Sequence, residues 1–177
     1  MLKCQPCLPA VWLISDARND AGLARALARL PRGSGFIFRH YHLPPAARQA
    51  RFRTLAALAR RRGHIVALAG TARAARRWGA DAAYGPPAAL ARGPALVRLV
   101  TAHGLHELRQ ARRADAILLS PVFATRSHPG AGGLGTLRFA LIARWARCPV
   151  IALGGMNPAR AKRLRHPRFA AIDGMMR

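Results

Sequence analysis

Two loops late in this chain carry the residue types that hold phosphate. The apolar run Ala116-Ile117-Leu118-Leu119-Ser120 opens into Pro121-Val122-Phe123-Ala124-Thr125-Arg126-Ser127-His128-Pro129-Gly130, a mixture of hydroxyls, a cation and turn formers. A second run, Val150-Ile151-Ala152-Leu153, opens into Gly154-Gly155-Met156-Asn157-Pro158. A buried strand that ends in a glycine or hydroxyl loop and then a helix turns backbone N–H groups toward an anion. Glycine suits that role because no side chain keeps the phosphate from the amides. Gly174 and Met175, in Asp173-Gly174-Met175, offer a third loop of this kind. Thr125, Ser127 and His128 add donors, His128 being charged only below about pH 6.5. The chemistry implied is the binding of a phosphorylated small molecule. A Gly-Gly pair can also be no more than a tight turn, so the reading needs all three loops to meet at one place.

Other strand ends supply Ser15, Asp16, Arg39, His40, His42, Thr101, His103 and Ser120. Arg39 closes the run Gly35-Phe36-Ile37-Phe38, a position from which a guanidinium can grip a phosphate at two points. His40 and His42 share one side of an extended segment and could bind a metal, although a solvated pair is the plainer reading. Asp81 and Asp115 precede strands, where a carboxylate makes turn or loop contacts, so neither is assigned to catalysis. Cys4-Gln5-Pro6-Cys7 has metal-ligand spacing without a second pair, and a frayed amino-terminal tail is expected there. No set of metal ligands is evident. The three cysteines, an odd number, argue against a disulfide framework.

Composition bounds the rest. With 177 residues, of which 51% are apolar, the chain can bury a core, and residues 1–177 are expected to form a single domain. No apolar run approaches the roughly 18 residues of a membrane span, and the broken amino-terminal run makes a poor secretory signal, so the expected location is the cytoplasm. The net charge of +24 invites a nucleic-acid reading. Against it, only Lys3 and Lys162 of the 30 basic residues are lysines, and the arginines are spread over nearly every segment. That pattern fits coding bias at solvated positions, with nonspecific binding at low salt and no specific nucleic-acid partner.

The elements that must position these residues alternate along the chain. Strands are predicted at 11–15, 35–39, 65–69, 82–84, 96–101, 116–120, 150–153 and 169–172. Helices are predicted at 21–30, 46–62, 72–78, 105–113, 137–146 and 158–164, with a weaker one at 87–92. Pro44-Pro45 and Pro158 suit helix starts, and Gly63 and Gly79 suit helix ends. Eight strands alternating with seven helices imply a parallel sheet that right-handed crossovers close into a small α/β TIM barrel, (β/α)8, lacking its final outer helix. A flavodoxin-like open sheet is the alternative, but it uses fewer strands. The seam between the last and first strands then needs cover from the amino-terminal tail, neighbouring helices or a second copy of the chain, which makes a homodimer possible. In such a barrel the chemistry sits at the carboxyl ends of the strands, with phosphate at the last two loops.

Several stretches resemble the thiamine phosphate synthase/TenI family. They are Trp12-Leu13-Ile14-Ser15-Asp16, Phe36-Ile37-Phe38-Arg39, Val100-Thr101-Ala102-His103-Gly104-Leu105-His106-Glu107-Leu108, the segment from Ala114 to Thr125, Ala152-Leu153-Gly154-Gly155-Met156 and Ile172-Asp173-Gly174. The resemblance covers nearly the whole chain and is most specific from Thr101 onward. It implies a (β/α)8 barrel that joins hydroxymethylpyrimidine diphosphate to a thiazole phosphate, releasing pyrophosphate with Mg2+, in thiamine biosynthesis. By resemblance, Arg39 grips the diphosphate and Thr101 stands where the family has a serine near it. Thr125 and Ser127 match the hydroxyl pair after the sixth strand. Gly154 and Gly155 match the amides around the thiazole phosphate, and Gly174 and Met175 complete that loop. The candidates for catalysis are Arg39, Ser127 and His128.

The chain also departs from the family. Ile37-Phe38-Arg39-His40-Tyr41 stands where the family has Gln-x-Arg-x-Lys, so the glutamine and lysine are gone. Leu68-Ala69-Gly70 replaces an Asn-Asp pair, and Tyr84-Gly85-Pro86-Pro87-Ala88-Ala89 lacks the family's metal-binding aspartate. His128 replaces a lysine. Mg2+ is implied by resemblance, yet its ligands are not evident. The alternative is therefore a TenI-like or catalytically degenerate barrel that binds thiazole phosphate or thiamine phosphate without coupling. The histidine used by TenI-like isomerases falls at Pro121 here, so isomerisation is not supported residue by residue.

Overall fold

A computed structural model of the chain describes residues 8–125 and 132–175. The strands are β1 (Val11–Ile14), β2 (Gly35–Phe38), β3 (Ile65–Ala69), β4 (Ala82–Gly85), β5 (Val97–Ala102), β6 (Ala116–Leu119), β7 (Val150–Ala152) and β8 (Phe169–Ala171). Between them run α1 (Leu23–Arg29), α2 (Pro45–Arg61), α3 (Ala72–Arg77), α4 (Pro87–Leu90), α5 (Leu105–Gln110), α6 (Gly135–Ala143) and α7 (Pro158–Leu164). Each strand pairs in parallel with the next, and β8 returns to β1 with Val11 opposite Phe169 and Leu13 opposite Ala171. The expected closed barrel forms, and no open sheet edge is left.

The two-residue period of the strands decides which side chains meet. Trp12, Ile14, Ile37, Ala67, Tyr84, Leu118 and Ile151 point inward and form the barrel's own core. Their neighbours Leu13, Phe36, Phe38, Val66 and Leu68 point outward against Leu23, Leu27, Phe52 and Leu55 of α1 and α2. Trp12 is wholly buried, and its ring lies 2.1 Å from where a Gly35 Cβ would stand. One large ring thus fills the barrel floor because the residue opposite has no side chain.

The helix predicted at 21–30 differs in its start. A 3-10 turn (Ala17–Gly22) precedes α1, capped by Asp16, whose carboxylate accepts from Arg18 N while the Asp16 N–H donates to Asn19 Oδ1 at 2.8 Å. The Asn19 amide also donates to the carbonyls of Ile14 and Ile172, each at 3.0 Å, which ties the carboxyl ends of β1 and β8 together. No helix follows β8 among the described residues. Outside the seam a groove of about 700 Å3 runs between Val11, Phe169 and α7. Met175 lies in this groove and packs against the outer cores on both sides. At the amino end of the barrel, Asp81 and Asp115 accept from the amides of Val66 and Arg98, both at 2.8 Å, as their position before strands implied.

Candidate functional site

The loop after β7 is shaped for close approach. Gly154 and Gly155 have φ of +94° and +61°, the left-handed region that side chains disfavour. A Cβ at Gly154 would stand 2.6 Å from Pro121 Cα, and one at Gly155 would stand 2.6 Å from the carbonyl of Ala124. The loop after β6 lies directly on this one, with Val122 N donating to Leu153 O at 2.8 Å and Phe123 N to Gly154 O at 3.1 Å. The loop after β8 presses equally close, since a Cβ at Gly174 would stand 2.2 Å from Met156 O. Thr125, Gly154, Gly155 and Gly174 therefore line one cavity of about 550 Å3. The three loops singled out in the sequence do meet.

Arg160 lines the same cavity, and sequence reasoning passed over it. Asn157 caps α7 by accepting from Arg160 N at 2.8 Å. The Arg160 guanidinium then folds back, donates to the Gly155 carbonyl and sits 5.2 Å above the Phe123 ring. The available signal was Asn157-Pro158, a helix start from which a residue in the first turn points back toward the loop.

A second cavity of about 240 Å3 opens at the barrel mouth, lined by Arg39, Tyr41, Tyr84, Thr101, His103 and Ser120. It shares Thr125, Leu153, Gly154 and Ile172 with the first, so the two are adjoining chambers. Burial pushes the Tyr84 phenol up to about 12, which keeps it a neutral hydroxyl. Arg39 lies 3.9 Å from Asp16 Oδ2 and faces the Tyr41 ring at 5.7 Å. Burial alone would raise the Asp16 carboxyl. The hydrogen bonds and charge of Arg18, then the charge of Arg39, outweigh it and hold the group below the usual carboxylate value.

Two arginines of α2, one turn apart, reach the carboxyl end of the barrel, Arg48 at β2 and β3 and Arg51 at the 3-10 turn after β1. Arg48 donates from Nε to Arg39 O and from Nη2 to Ala69 O, both at 2.8 Å. Arg51 donates from Nε to Asp20 Oδ1 at 2.9 Å. His40 corrects the sequence reading. It is neither solvated nor on an extended segment, since it is 1% exposed and has φ of +39°. Its Nδ1 lies 2.7 Å from Ser15 Oγ and its Nε2 lies 2.7 Å from Asp20 Oδ1, so neither nitrogen faces a metal shared with His42.

Of the residues singled out in the sequence, Arg39 and Thr101 line the mouth chamber, while Gly155 and Gly174 line the glycine chamber. Thr125 and Gly154 line both. The Met175 side chain is turned to the outer groove and away from the mouth. Ser127, His128 and the pair Cys4 and Cys7 lie outside the described residues.

The described donors at the mouth do not fit Mg2+, which wants near-octahedral oxygen ligands with carboxylates among them. Asp16 and Asp173 both face Arg18, at 2.8 Å and 3.4 Å. The end of β3 is held by the Arg48 guanidinium, and β4 leads into Pro86. Among the described residues no three of the types His, Cys, Asp and Glu are placed to hold a metal ion.

Comparison with known proteins agrees with this geometry. A family profile described as thiamine monophosphate synthase matches residues 11–175. "Putative thiamine-phosphate synthase 2" of Aquifex aeolicus (strain VF5) is 36% identical over 75 residues, which are 41% of this chain and 40% of that protein. The match thus spans less than half of that relative's length. The structure of thiamine phosphate pyrophosphorylase from Pyrococcus furiosus superposes with a TM-score of 0.75 at 22% identity, covering 92% of this chain and 85% of its own. The YdjI aldolase of Escherichia coli K12 superposes at 0.60 with 8% identity, covering 94% and 75%, and shares the barrel alone. Through the profile that spans residues 11–175, the chain belongs to the thiamine monophosphate synthase family.

Proposed function

We propose that the protein is a thiamine phosphate synthase, a transferase that joins hydroxymethylpyrimidine diphosphate to thiazole phosphate and releases pyrophosphate. The observation that carries this reading is the pair of adjoining chambers, one walled by the glycine loops and one holding Arg39, with Thr125 and Gly154 between them. The thiazole phosphate sits against Gly154, Gly155, Gly174 and Arg160, and the diphosphate sits against Arg39 and Thr101. A thiazole nitrogen then forms its bond to the pyrimidine methylene carbon as the bond from that carbon to the diphosphate oxygen breaks. The departing pyrophosphate gathers negative charge, which fixed cations and donors at its oxygens must stabilise. Arg39 supplies the cation in the mouth chamber, and the neutral Tyr84 hydroxyl lines the same wall.

The chain acts as one domain over 1–177 in this reading, with a phosphorylated small molecule as its partner and no specific nucleic acid. No described helix is long and apolar enough to cross a membrane. The free Cys148 thiol fits a reducing compartment such as the cytoplasm, and the apolar groove over the β8–β1 seam gives a homodimer somewhere to form.

Labelled hydroxymethylpyrimidine diphosphate, mixed with thiazole phosphate, tests the reading. Release of pyrophosphate with formation of thiamine phosphate is expected. The second reading, a barrel that binds thiazole phosphate or thiamine phosphate without coupling them, is motivated by the arginine and proline at the ends of β3 and β4. It predicts a ligand-raised melting temperature with no product. Calorimetry with thiamine phosphate, run with Mg2+ and then with a chelator, should give the same affinity in both.

A further inference from the structure

We propose that His40 is a positioning residue which, with Asp20 and Ser15, sets the direction of Arg39 into the mouth chamber and so the affinity for a diphosphate group. The inference rests on the role of Arg39 proposed above. Three hydrogen bonds run in series. The Asp20 carboxylate accepts from His40 Nε2–H at 2.7 Å, which fixes the tautomer and leaves Nδ1 as an acceptor. Ser15 Oγ donates to that Nδ1 at 2.7 Å and accepts from Arg39 N–H at 2.8 Å. Arg51 holds the far end of the series by donating to Asp20 Oδ1 and, at 3.1 Å, to the Asp20 carbonyl.

The surroundings leave the imidazole little freedom. Its ring stacks on Phe38 at 4.7 Å with 9° between the planes, and the His42 ring lies 5.1 Å away, tilted by 39°. Ser15 is wholly buried, so its hydroxyl is not presented as a nucleophile despite the Ser, His and Asp arrangement. What the series does hold is the backbone at Arg39. The positive φ of His40 opens a turn directly after Arg39, in which Leu43 N donates to His40 O at 3.2 Å, and the tied imidazole helps hold that conformation. Ser15 directly follows β1, Arg39 directly follows β2, and Asp20 lies in the 3-10 turn, so the aim of one cation is set from three places in the fold.

The test is a double-mutant cycle with inorganic pyrophosphate as the probe and calorimetry as the readout. Asparagine tolerates the left-handed region, so His40→Asn keeps the turn while removing the bridge between Ser15 and Asp20. Arg39→Ala should weaken pyrophosphate about ten-fold or more, as loss of a charge-assisted hydrogen bond does. His40→Asn should weaken it about five-fold. The double variant should be no weaker than Arg39→Ala alone, because His40 acts only through that cation. Thiazole phosphate, held by the glycine chamber, should bind all three variants equally. Losses that multiply would overturn the inference and leave the role of Arg39 standing. No loss in Arg39→Ala would overturn both. Should His40→Asn fail to fold, Asp20→Asn opens the same series from its exposed end and must give the same non-additive pattern.

Discussion

Arg160 sits where charge counts most, with its guanidinium on the Gly155 carbonyl and over the Phe123 ring at the edge of the glycine chamber. Arg160→Ala should lower affinity for thiamine phosphate about ten-fold, the worth of one hydrogen bond to a charged group. Its melting temperature should stay close to that of the parent, since the side chain is at the surface. Calorimetry and thermal melts on the same preparations check both halves. Gly154→Ala should behave differently. It must force a methyl group against Pro121 at a φ of +94°, so a loss of about 1–3 kcal/mol in urea unfolding is expected, with weaker ligand binding. The Gly154-Gly155 pair was legible as a loop of close approach because glycine after an apolar run is a local signal. Arg160 was not, because its value depends on the backbone to which it folds back.

Among the elements, the carboxyl end of β2 is held from several directions. α2 reaches it with Arg48, and the 3-10 turn reaches it with Asp20, which Arg51 of α2 holds. Burial pulls His40 below its ordinary value near 6.5, although the hydrogen bond and charge of Asp20 oppose that. The unfolded chain therefore takes up this proton before the folded one does. Stability should fall as pH drops below about 6.5 and keep falling to the lower folded value. Asp20 adds a second step at lower pH. Burial favours its neutral form, but the hydrogen bonds from His40 and Arg51 and then their charges outweigh it and keep the carboxyl below its ordinary value. That contribution is present above about pH 3.9 and is lost as pH falls through the folded value. Urea unfolding between pH 8 and pH 5 should show the first step, and His40→Asn should flatten it. An unchanged slope would remove His40 as its source.

On the scale of the whole molecule, a net charge of +24 acts on everything the barrel meets. The carboxylates already face cations or amides: Asp16 and Asp173 face Arg18, Asp20 faces Arg51, and Asp81 and Asp115 hold strand amides. Basic residues outnumber acidic ones 30 to 6. Duplex DNA should therefore bind at low salt, with an affinity that falls steeply and linearly on a log–log plot against salt. Thiamine phosphate should not compete for it, because the arginines are spread along the chain and the two chambers are at one end of the barrel. Competition in a filter-binding or anisotropy titration would contradict that separation.

The alternation of apolar runs with Ala/Arg/Leu segments was enough to determine eight strands, seven helices and a closed parallel barrel. Each strand announces itself locally, and parallel neighbours require crossovers of one hand. Gly63 and Gly79 marked the ends of α2 and α3 for the same local reason, since both take φ of +71° just past the helix. Closure decided the rest. Asn19 bonds a carbonyl 153 positions away, Ser15 and Asp20 meet His40 from 25 and 20 positions away, and Arg51 meets Asp20 from 31. Such contacts depend on strand register and on which face each side chain takes once β8 meets β1, and neither is written in any local stretch. His40 read as a solvated histidine in the chain and is a buried link in the barrel, because only the folded barrel brings a serine and an aspartate to its two nitrogens.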